Sequence, residues 1–270
     1  MSRRRNVKAR MTMLNDLRDV LDSMRTLALV EISKLSRTEP QRRRLQTDLG
    51  AIATATSGYY PAFASAPPRR LFLLVGSERG FCAGFNDDVI MRWARIRASD
   101  PDARAIVVGS VLSEKLDASN LILVRLEGAV IAEDIDDTLV AVLREISSAQ
   151  EAASSPIALS SVANGRDGVE VTGILPFAPQ RAPSERMPEL NLPPEAFVRA
   201  FLDQYADAAL HGVFATSLLS ENRARLAHMT TAIDRLDDNM AALRRQAHRL
   251  RQEEITQEVE AILLSTQAEA

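Results

Sequence analysis

Both ends of the chain carry apolar residues at the spacing of a helical seam. Near the N terminus these residues are separated by steps of three, four, three, four and seven, the heptad spacing of a helix that packs against another helix. The positions are Leu14, Leu17, Leu21, Met24, Ala28 and Leu35. Glu31 stands where another apolar member is expected. The spacing predicts a helix over residues 1–58, in which Pro40 begins a further turn.

The C-terminal seam is longer and more regular. Its apolar residues alternate steps of three and four at Leu226, Met229, Ile233, Leu236, Met240, Leu243, Ala247 and Leu250. After a slip of one residue the pattern resumes at Ile255, Val259 and Ile262. We predict one helix over residues 195–270 that starts near Pro194, because proline is tolerated in a first helical turn.

Each predicted helix has an apolar stripe that another element must cover. The simplest arrangement pairs the two helices as a long antiparallel coiled coil, because both connect to the same middle segment. The alternative is that each helix packs separately on a globular part. The length of the two seams favours the coiled coil.

The middle of the chain has a different pattern, with short apolar runs separated by turns. All 11 glycines and all 12 prolines lie between Pro40 and Gly212. The runs predict strands at 70–75, 105–108, 121–124, 156–163 and 169–175, the last two as a hairpin, and helices at 86–98 and 133–150. Their alternation predicts an α/β domain over 70–176 with a mainly parallel sheet covered on both faces. The prolines that follow predict a linker over 177–194.

Composition narrows the classes of function. The formal net charge is -3 at pH 7, which argues against nucleic acid as the main partner. Cys82 is the single cysteine, so an intramolecular disulfide is impossible and a reducing compartment is expected. The sequence has no apolar run of about 18 residues, so we expect no direct insertion into a membrane. The basic start has no apolar stretch behind it, and we expect no secretory signal.

A glycine-rich turn follows the first predicted strand, with Gly76, Gly80 and Gly84 at equal spacing. The dinucleotide fingerprint requires G-x-G-x-x-G, which this segment lacks. A P-loop requires Lys and then Ser or Thr after its last glycine, whereas Phe81 and Phe85 stand at those places. We interpret the three glycines as a tight structural turn, in which Gly80 and Gly84 reach positive φ.

The sequence offers no evident catalytic or metal-binding constellation. Residues 1–210 contain no histidine that could activate Cys82. The three histidines, His211, His228 and His248, are too far apart to share a metal ion on one helix. We therefore expect no catalytic residue, no cofactor and no metal.

Basic side chains cluster in three places, at residues 3–10, 42–44 and 244–251. One interpretation is a solvated helical face. The other is contact with an acidic surface of a partner protein.

Several segments match the pattern of a known family in the right order. Residues 21–35 (L-D-S-M-R-T-L-A-L-V-E-I-S-K-L) are similar to K-A-M-K-M-V-A-A-S-K-L, and residues 76–86 (G-S-E-R-G-F-C-A-G-F-N) to G-S-D-R-G-L-C-G-G-L-N. Residues 220–229 (S-E-N-R-A-R-L-A-H-M) and 251–258 (R-Q-E-E-I-T-Q-E) are similar to S-E-H-A-A-R-M-x-A-M and R-Q-x-x-I-T-Q-E. On these segments, which span nearly the whole chain, the sequence resembles the gamma subunit of F-type rotary ATP synthases.

The resemblance implies an antiparallel coiled coil of the two termini and a central Rossmann-like domain. It implies a non-catalytic rotor shaft, which couples ATP synthesis or hydrolysis in a ring of alpha and beta subunits to ion translocation across a membrane. The implied partners are those alpha and beta subunits, a small epsilon-type subunit and a membrane rotor ring of c-type subunits. The implied location is the cytoplasmic face of a bacterial plasma membrane, in a peripheral position.

The resemblance also implies residues that face the surrounding ring. Arg251 and Gln252 match the family's R-Q pair, which loops of the ring hold. We expect Met24, Arg25 and Lys34 on the same working surface.

The sequence departs from the family pattern at a few positions. Asp22 and Ser23 stand where T-K is common, Glu31 interrupts a run of small residues, and Ala83 replaces a glycine. These departures indicate a divergent member, such as an alternative or sodium-coupled N-type ATPase. Two other classes stay open from the residues alone: a coiled-coil scaffold or adaptor with an α/β head, and a nucleotide-dependent enzyme built on the α/β domain.

Overall fold

The computed structural model describes residues 3–57, 69–116, 121–153, 157–175 and 189–268. Two long helices, α1 (Arg3–Ser57, 55 residues) and α5 (Pro194–Ala268, 75 residues), enclose the other elements in the sequence. These are β1 (Arg69–Val75), α2 (Phe85–Ser99), β2 (Arg104–Val108), α3 (Ser110–Lys115), β3 (Ile122–Leu126), a 3-10 helix (Ala132–Asp134), α4 (Ile135–Glu151), β4 (Ile157–Asn164) and β5 (Val169–Leu175). Most of the predicted linker, residues 177–188, lies outside the described residues.

The contacts divide the chain into two compact units. The terminal unit contains residues 3–28 of α1 and 226–268 of α5, and the central unit contains residues 29–225. This division falls inside the two long helices. The predicted domain limits (1–58, 70–176, 177–194 and 195–270) remain a prediction.

The terminal unit is a pair of antiparallel helical segments. Leu21 is buried against Met229 and Ile233, and Met24 and Leu236 pack beside them. The positions of the predicted C-terminal seam up to residue 250 are all buried or partly buried, whereas most residues between them are exposed. The periodicity therefore identified the buried stripe of α5 in this unit.

Exposed ion pairs give the direction of the two segments in the terminal unit. Arg4 pairs with Glu254 at 2.9 Å, and Arg18 pairs with Asp237 at 2.8 Å. Rising numbers on α1 thus meet falling numbers on α5, which confirms the predicted antiparallel coiled coil.

The predicted resumption of the seam after residue 250 is wrong for the side chains that the structure describes. Ile255 and Val259 are 49% and 50% exposed, and the side chain of Ile262 lies outside the described ones. The reason is the position of the partner segment. Arg4, near the start of the described part of α1, already pairs with Glu254. Residues further along α5 therefore have little of the described part of α1 opposite them.

The central unit contains a five-stranded sheet in the order β3-β2-β1-β4-β5. β1 is parallel to β2 and to β4, β2 is parallel to β3, and β5 is antiparallel to β4. The predicted mainly parallel sheet with a terminal hairpin is confirmed. In the hairpin turn Gly168 has φ +131°, a conformation that favours glycine.

Both faces of the sheet are covered, as expected for strands that are continuously apolar. On one face, Leu71, Leu73 and Ile106 pack with residues of α4 and with the inner parts of α1 and α5. On the other face, Phe72 and Trp93 pack with residues of α2 and α3, and their rings lie 5.7 Å apart. Helix α3 was absent from the sequence prediction, because six residues are too few to show helical periodicity.

Pro40 lies inside α1, which continues through it without a break. Proline has no N–H and therefore leaves a carbonyl one turn earlier without its helical donor. That carbonyl belongs to Ser36, and in the same turn Thr38 Oγ1 and Arg42 Nη2 both donate to the carbonyl of Leu35, each at 3.2 Å.

None of the helices within the described ranges has a stretch that is long and apolar enough to cross a lipid bilayer.

Candidate functional site

The loop between β1 and α2 lies at the carboxyl ends of the parallel strands, where many α/β proteins bind ligands. In this chain a side chain of the loop itself occupies that position. Glu78 Oε2 accepts hydrogen bonds from the backbone N–H of Ser110 at 2.9 Å and of Gly128 at 2.7 Å. Glu78 Oε1 accepts a bond from Ser110 Oγ at 2.6 Å. The carboxylate thus uses the backbone donors that could otherwise hold a phosphate.

Two asparagines fix the ends of the same loop. Asn86 Oδ1 accepts a bond from the N–H of Ser77 at 2.9 Å, and Asn86 Nδ2 donates to Ser77 Oγ at 2.8 Å. Asn164, at the end of β4, donates to the carbonyl of Phe85 at 2.9 Å. Ser77, Asn86 and Asn164 are all buried, so these bonds satisfy groups that water does not reach.

The glycines of the loop have a different role from the predicted one. Neither Gly80 nor Gly84 has a positive φ; the residues that do are Phe81 (φ 64°) and Ala83 (φ 51°). A Cβ on Gly80 would meet no atom within 4 Å, and one on Gly84 would lie 3.8 Å from Asp87. The expectation that these two glycines are required for their backbone conformation is therefore corrected.

Close packing explains Gly76 instead. A Cβ on Gly76 would lie 2.4 Å from Leu112 Cβ and 2.6 Å from Asn86 Oδ1. Gly109, which follows β2, has φ +110°, and a Cβ there would lie 2.7 Å from the carbonyl oxygen of Gly76. The backbones of the two loops approach each other so closely that only glycine fits.

A buried ion pair on α5 holds the middle of the loop. Arg225 pairs with Glu221 one turn earlier, and their side chains are only 8% and 5% exposed. Arg225 also donates to the carbonyls of Gly80 at 3.4 Å and Arg79 at 3.5 Å, next to the positive-φ residue Phe81. The arginine therefore supports a segment whose backbone conformation is otherwise unfavourable.

Burial raises the pKa of Glu221 to about 7, although the charge of Arg225 opposes the shift. Burial also raises the pKa of the Cys82 thiol. Cys82 Sγ donates to Ser77 Oγ at 3.3 Å and is otherwise enclosed. A buried thiol of raised pKa is a poor nucleophile.

The five residues expected to face a ring occupy three kinds of environment. Arg251 and Gln252 are exposed on α5. Met24 is partly buried in the seam of the terminal unit, and Arg25 forms a 2.5 Å ion pair with Asp22 on its own helix.

Lys34 belongs to an intramolecular contact, which we call the Glu31 contact: the side chains of Glu31, Lys34 and Glu133 and the backbone N–H of Ala132. Lys34 Nζ lies 3.0 Å from Glu31 Oε1 and 2.9 Å from Glu133 Oε1. The N–H of Ala132 donates to Glu31 Oε2 at 2.9 Å.

The described part of the chain contains no group of three or more His, Cys, Asp and Glu side chains placed to hold a metal ion.

The family of the chain follows from sequence comparison. A family model for ATP synthase matches residues 3–268. A curated relative, the ATP synthase gamma chain of an Exiguobacterium species, is 26% identical over 282 residues, with 96% of each chain covered. This chain belongs to the ATP synthase gamma family. Another gamma chain, from Clostridium botulinum, is 24% identical over 206 residues and covers 74% of this chain and 73% of its own length.

Chains of solved ATP synthase structures share this fold at low sequence identity. A chain of the Euglena gracilis mitochondrial ATP synthase rotor matches with a TM-score of 0.65 at 14% identity, and covers 93% of this chain and 98% of its own length. A chain from the central stalk and c-ring of the Tetrahymena thermophila mitochondrial ATP synthase matches with a TM-score of 0.60 at 14% identity. It covers 79% of this chain and 99% of its own length.

Sequence reasoning missed the buried polar contacts of this gamma-family chain. Glu221 and Arg225 lie in phase with the buried residues Leu218 and Met229 of α5, at steps of three and four. Glu31 occupies an apolar place in the seam of α1. A charged residue in phase with an apolar stripe was the available signal for a buried polar contact.

Proposed function

We propose that the chain is the central rotor shaft of an F-type ATP synthase or ATPase. In this proposal it turns inside a ring of alpha and beta subunits and couples ATP synthesis or hydrolysis there to ion translocation across a membrane. Its other partners are an epsilon-type small subunit and a membrane ring of c-type subunits. The chain supplies no catalytic group and belongs to the cytoplasmic face of a bacterial plasma membrane.

The observation that carries the proposal is the antiparallel pair of long helices in a chain of the gamma family. In the terminal unit each helix buries one narrow stripe and exposes the rest of its surface. Such a pair offers its exposed side chains to a protein that surrounds it.

The loop after β1 supports a non-catalytic role. Glu78 holds the backbone N–H groups of Ser110 and Gly128, so a nucleotide phosphate would have to displace a carboxylate. Both carboxylate oxygens of Glu78 already accept short hydrogen bonds, Oε1 from Ser110 Oγ at 2.6 Å and Oε2 from the N–H of Gly128 at 2.7 Å. These contacts favour the shaft over a nucleotide-dependent enzyme.

Purification through a tag on this chain tests the proposal directly. We expect two large subunits to co-purify in threefold excess, with ATP hydrolysis in the purified complex. A scaffold or adaptor would not bring down that set of proteins. Binding of ATP to the isolated chain would favour the enzyme instead.

We propose that Arg251 and Gln252 are the ring-facing pair. An arginine can meet a carboxylate with two parallel bonds, and both side chains are exposed. Arg251→Ala with Gln252→Ala should leave the complex assembled and lower ATP turnover, ion transport, or both. Met24 and Arg25 remain weaker candidates, since the seam and Asp22 already engage them.

The chain contains a matched control for that pair. Arg245 and Gln246 are also adjacent, exposed and on α5, one to two turns earlier. If the ring holds Arg251 and Gln252 and not the whole basic cluster of residues 244–251, Arg245→Ala with Gln246→Ala should behave like the unmodified complex. If both double variants show the ATP turnover and ion pumping of the unmodified complex, Arg251 and Gln252 are removed from the site and the shaft proposal is not affected.

A further inference from the structure

Glu31 is a charged residue at a core position. It stands in the heptad series of α1, four residues before Leu35, which is 1% exposed, and is itself only 7% exposed. A buried carboxylate without partners is strongly destabilising. An apolar side chain would fit the same place in the seam without that cost.

Both oxygens of Glu31 have partners on different elements. Oε1 accepts from Lys34 on α1, and Oε2 accepts from the N–H of Ala132, at the start of the 3-10 helix that leads into α4. Lys34 also donates to Glu133, which lies beside Ala132 in the 3-10 helix. The contact therefore joins α1 to the first turn before α4 at two points.

Hydrogen bonds within the turn that precedes Ala132 hold the backbone next to this contact. Asp134 Oδ2 accepts from the N–H of Val130 at 3.1 Å and of Ile131 at 3.2 Å, so the amides just before Ala132 are already held within the turn. The N–H of Ala132 is the next donor along the chain, and it points to Glu31. Hydrogen bonds to Glu133 and Glu31 raise the pKa of Lys34, which keeps its charge in place.

A contact of this kind resists rotation of the helix more than apolar packing does. A rotation of α1 by about 20° would move a group on its surface by about 2 Å, because a helix with its side chains has a radius of about 5–6 Å. Bonds of 2.9 and 3.0 Å do not survive such a displacement. Apolar side chains have no preferred direction and lose less contact energy in the same movement.

We infer that the Glu31 contact fixes the rotational position of α1 against the start of α4, so that torque on the helix passes into the sheet of the central unit. Lys34 thereby acts inside the chain as a positioning residue, and not on the surface that faces the ring. The inference rests on the proposed function, since only a shaft carries torque.

The decisive variant is Glu31→Leu, which restores the apolar seam and removes the contact. If the contact has no part in transmitting torque, the variant complex rotates like the unmodified one. In the experiment, the complex is immobilised by its ring, and the rotation of a bead attached to α2 is followed during slow ATP hydrolysis. The torque role predicts that the angle of the bead at each pause is more widely distributed in the variant. Lys115→Ala, which removes an exposed ion pair with Asp87 away from α1, is the matched control and should leave the width unchanged.

Hydrogen exchange in the same complexes reports the contact independently of rotation. Glu31→Leu should make the amide of Ala132 exchange about ten- to a hundredfold faster, the change expected for the loss of one hydrogen bond to a charged group. If Glu31→Leu prevents assembly, Lys34→Met is measured by the angular width alone, because Lys34 is half-exposed and the amide of Ala132 bonds to Glu31 and not to Lys34.

The outcomes separate the two proposals. A wider angular distribution together with faster exchange at Ala132 supports the torque role. An unchanged width, or unchanged exchange, overturns it while the shaft proposal stands. An unmodified complex that hydrolyses ATP without rotation overturns the shaft, and the torque role with it.

Discussion

The terminal unit and the central unit bury charged side chains to very different degrees. In the terminal unit the ion pair between Arg4 and Glu254 is 33% and 38% exposed, whereas in the central unit Arg225 and Glu221 are 8% and 5% exposed. Exposed pairs contribute about 0–1 kcal/mol, but breaking a buried pair costs about 3–5 kcal/mol. The terminal unit thus depends on its apolar seam, and the central unit depends on polar contacts as well.

The largest effect is expected at the buried pair. Arg225→Ala leaves Glu221 without its partner and releases the carbonyls of Arg79 and Gly80, so it should destabilise the central unit by about 3–5 kcal/mol. Hydrogen exchange should accelerate in residues 76–84, with little change in residues 229–250. A double variant, Glu221→Leu with Arg225→Met, should recover most of the loss, because two apolar side chains can replace a buried ion pair. Equal loss in single and double variants would contradict this account.

The seam gives the complementary test in the terminal unit. Ile233→Asp places a carboxylate against Leu21 and Met229 and should cost about 3 kcal/mol or more. Exchange should accelerate in residues 226–250 and stay slow in β1 and β2. Ala227→Asp is the control, since Ala227 is exposed on the same helix and should lose only the helix propensity, about 0.7 kcal/mol. Similar effects from both substitutions would mean that the seam does not stabilise this unit.

The pH dependence should also distinguish the two units, because Glu221 lies in the central unit. The pKa of Glu221 is raised from 4.5 to about 7 in the folded chain, so the folded state holds the proton more tightly than the unfolded state. This contribution to stability is fully present below about pH 4.5 and is lost as the pH rises through about 7. A shift from 4.5 to about 7 corresponds to a change in the free energy of unfolding on the order of 3 kcal/mol. Urea unfolding at several pH values should show it, and Glu221→Gln should abolish it; a pH profile that Glu221→Gln leaves unchanged would assign the effect to another group.

The smallest effects concern the glycines, and they sharpen the account of the loop. Gly76→Ala should cost about 1–3 kcal/mol, because the added Cβ overlaps Leu112 and Asn86. Gly80→Ala should change the stability by less than about 0.5 kcal/mol, because its Cβ meets open space. Urea midpoints of the two variants measure the difference. A larger loss at Gly80 would show that this position is restricted by something other than space.

The periodicity of the sequence was sufficient to predict the long helices. A seam with steps of three and four can be read without knowledge of the partner, so α1, α5 and their pairing followed from it. Short, continuously apolar runs between turns likewise predicted the parallel sheet. The limits of the seam did not follow, because the exposure of Ile255 depends on which part of the partner helix lies opposite and not on the pattern of α5.

The long-range parts of the polar contacts could not be predicted, because they join residues that are distant in the sequence. Glu31 and Ala132 are separated by 101 positions, and Arg225 and Gly80 by 145. The phase of Glu31 and Glu221 shows that they face inward, and their local partners Lys34 and Arg225 lie three and four residues later, but no local pattern identifies the distant backbone groups that complete these contacts. The same limit applies to Gly76, since a close approach to Leu112 leaves no trace in the glycine spacing.

The enclosure of Cys82 has a practical consequence for chemical labelling. Thiol-directed reagents attack the thiolate, and this cysteine is 4% exposed with a raised pKa. It is also the only cysteine in the sequence. A second cysteine placed at an exposed site, for example on α2, would therefore carry a dye or a tether selectively in an otherwise native chain.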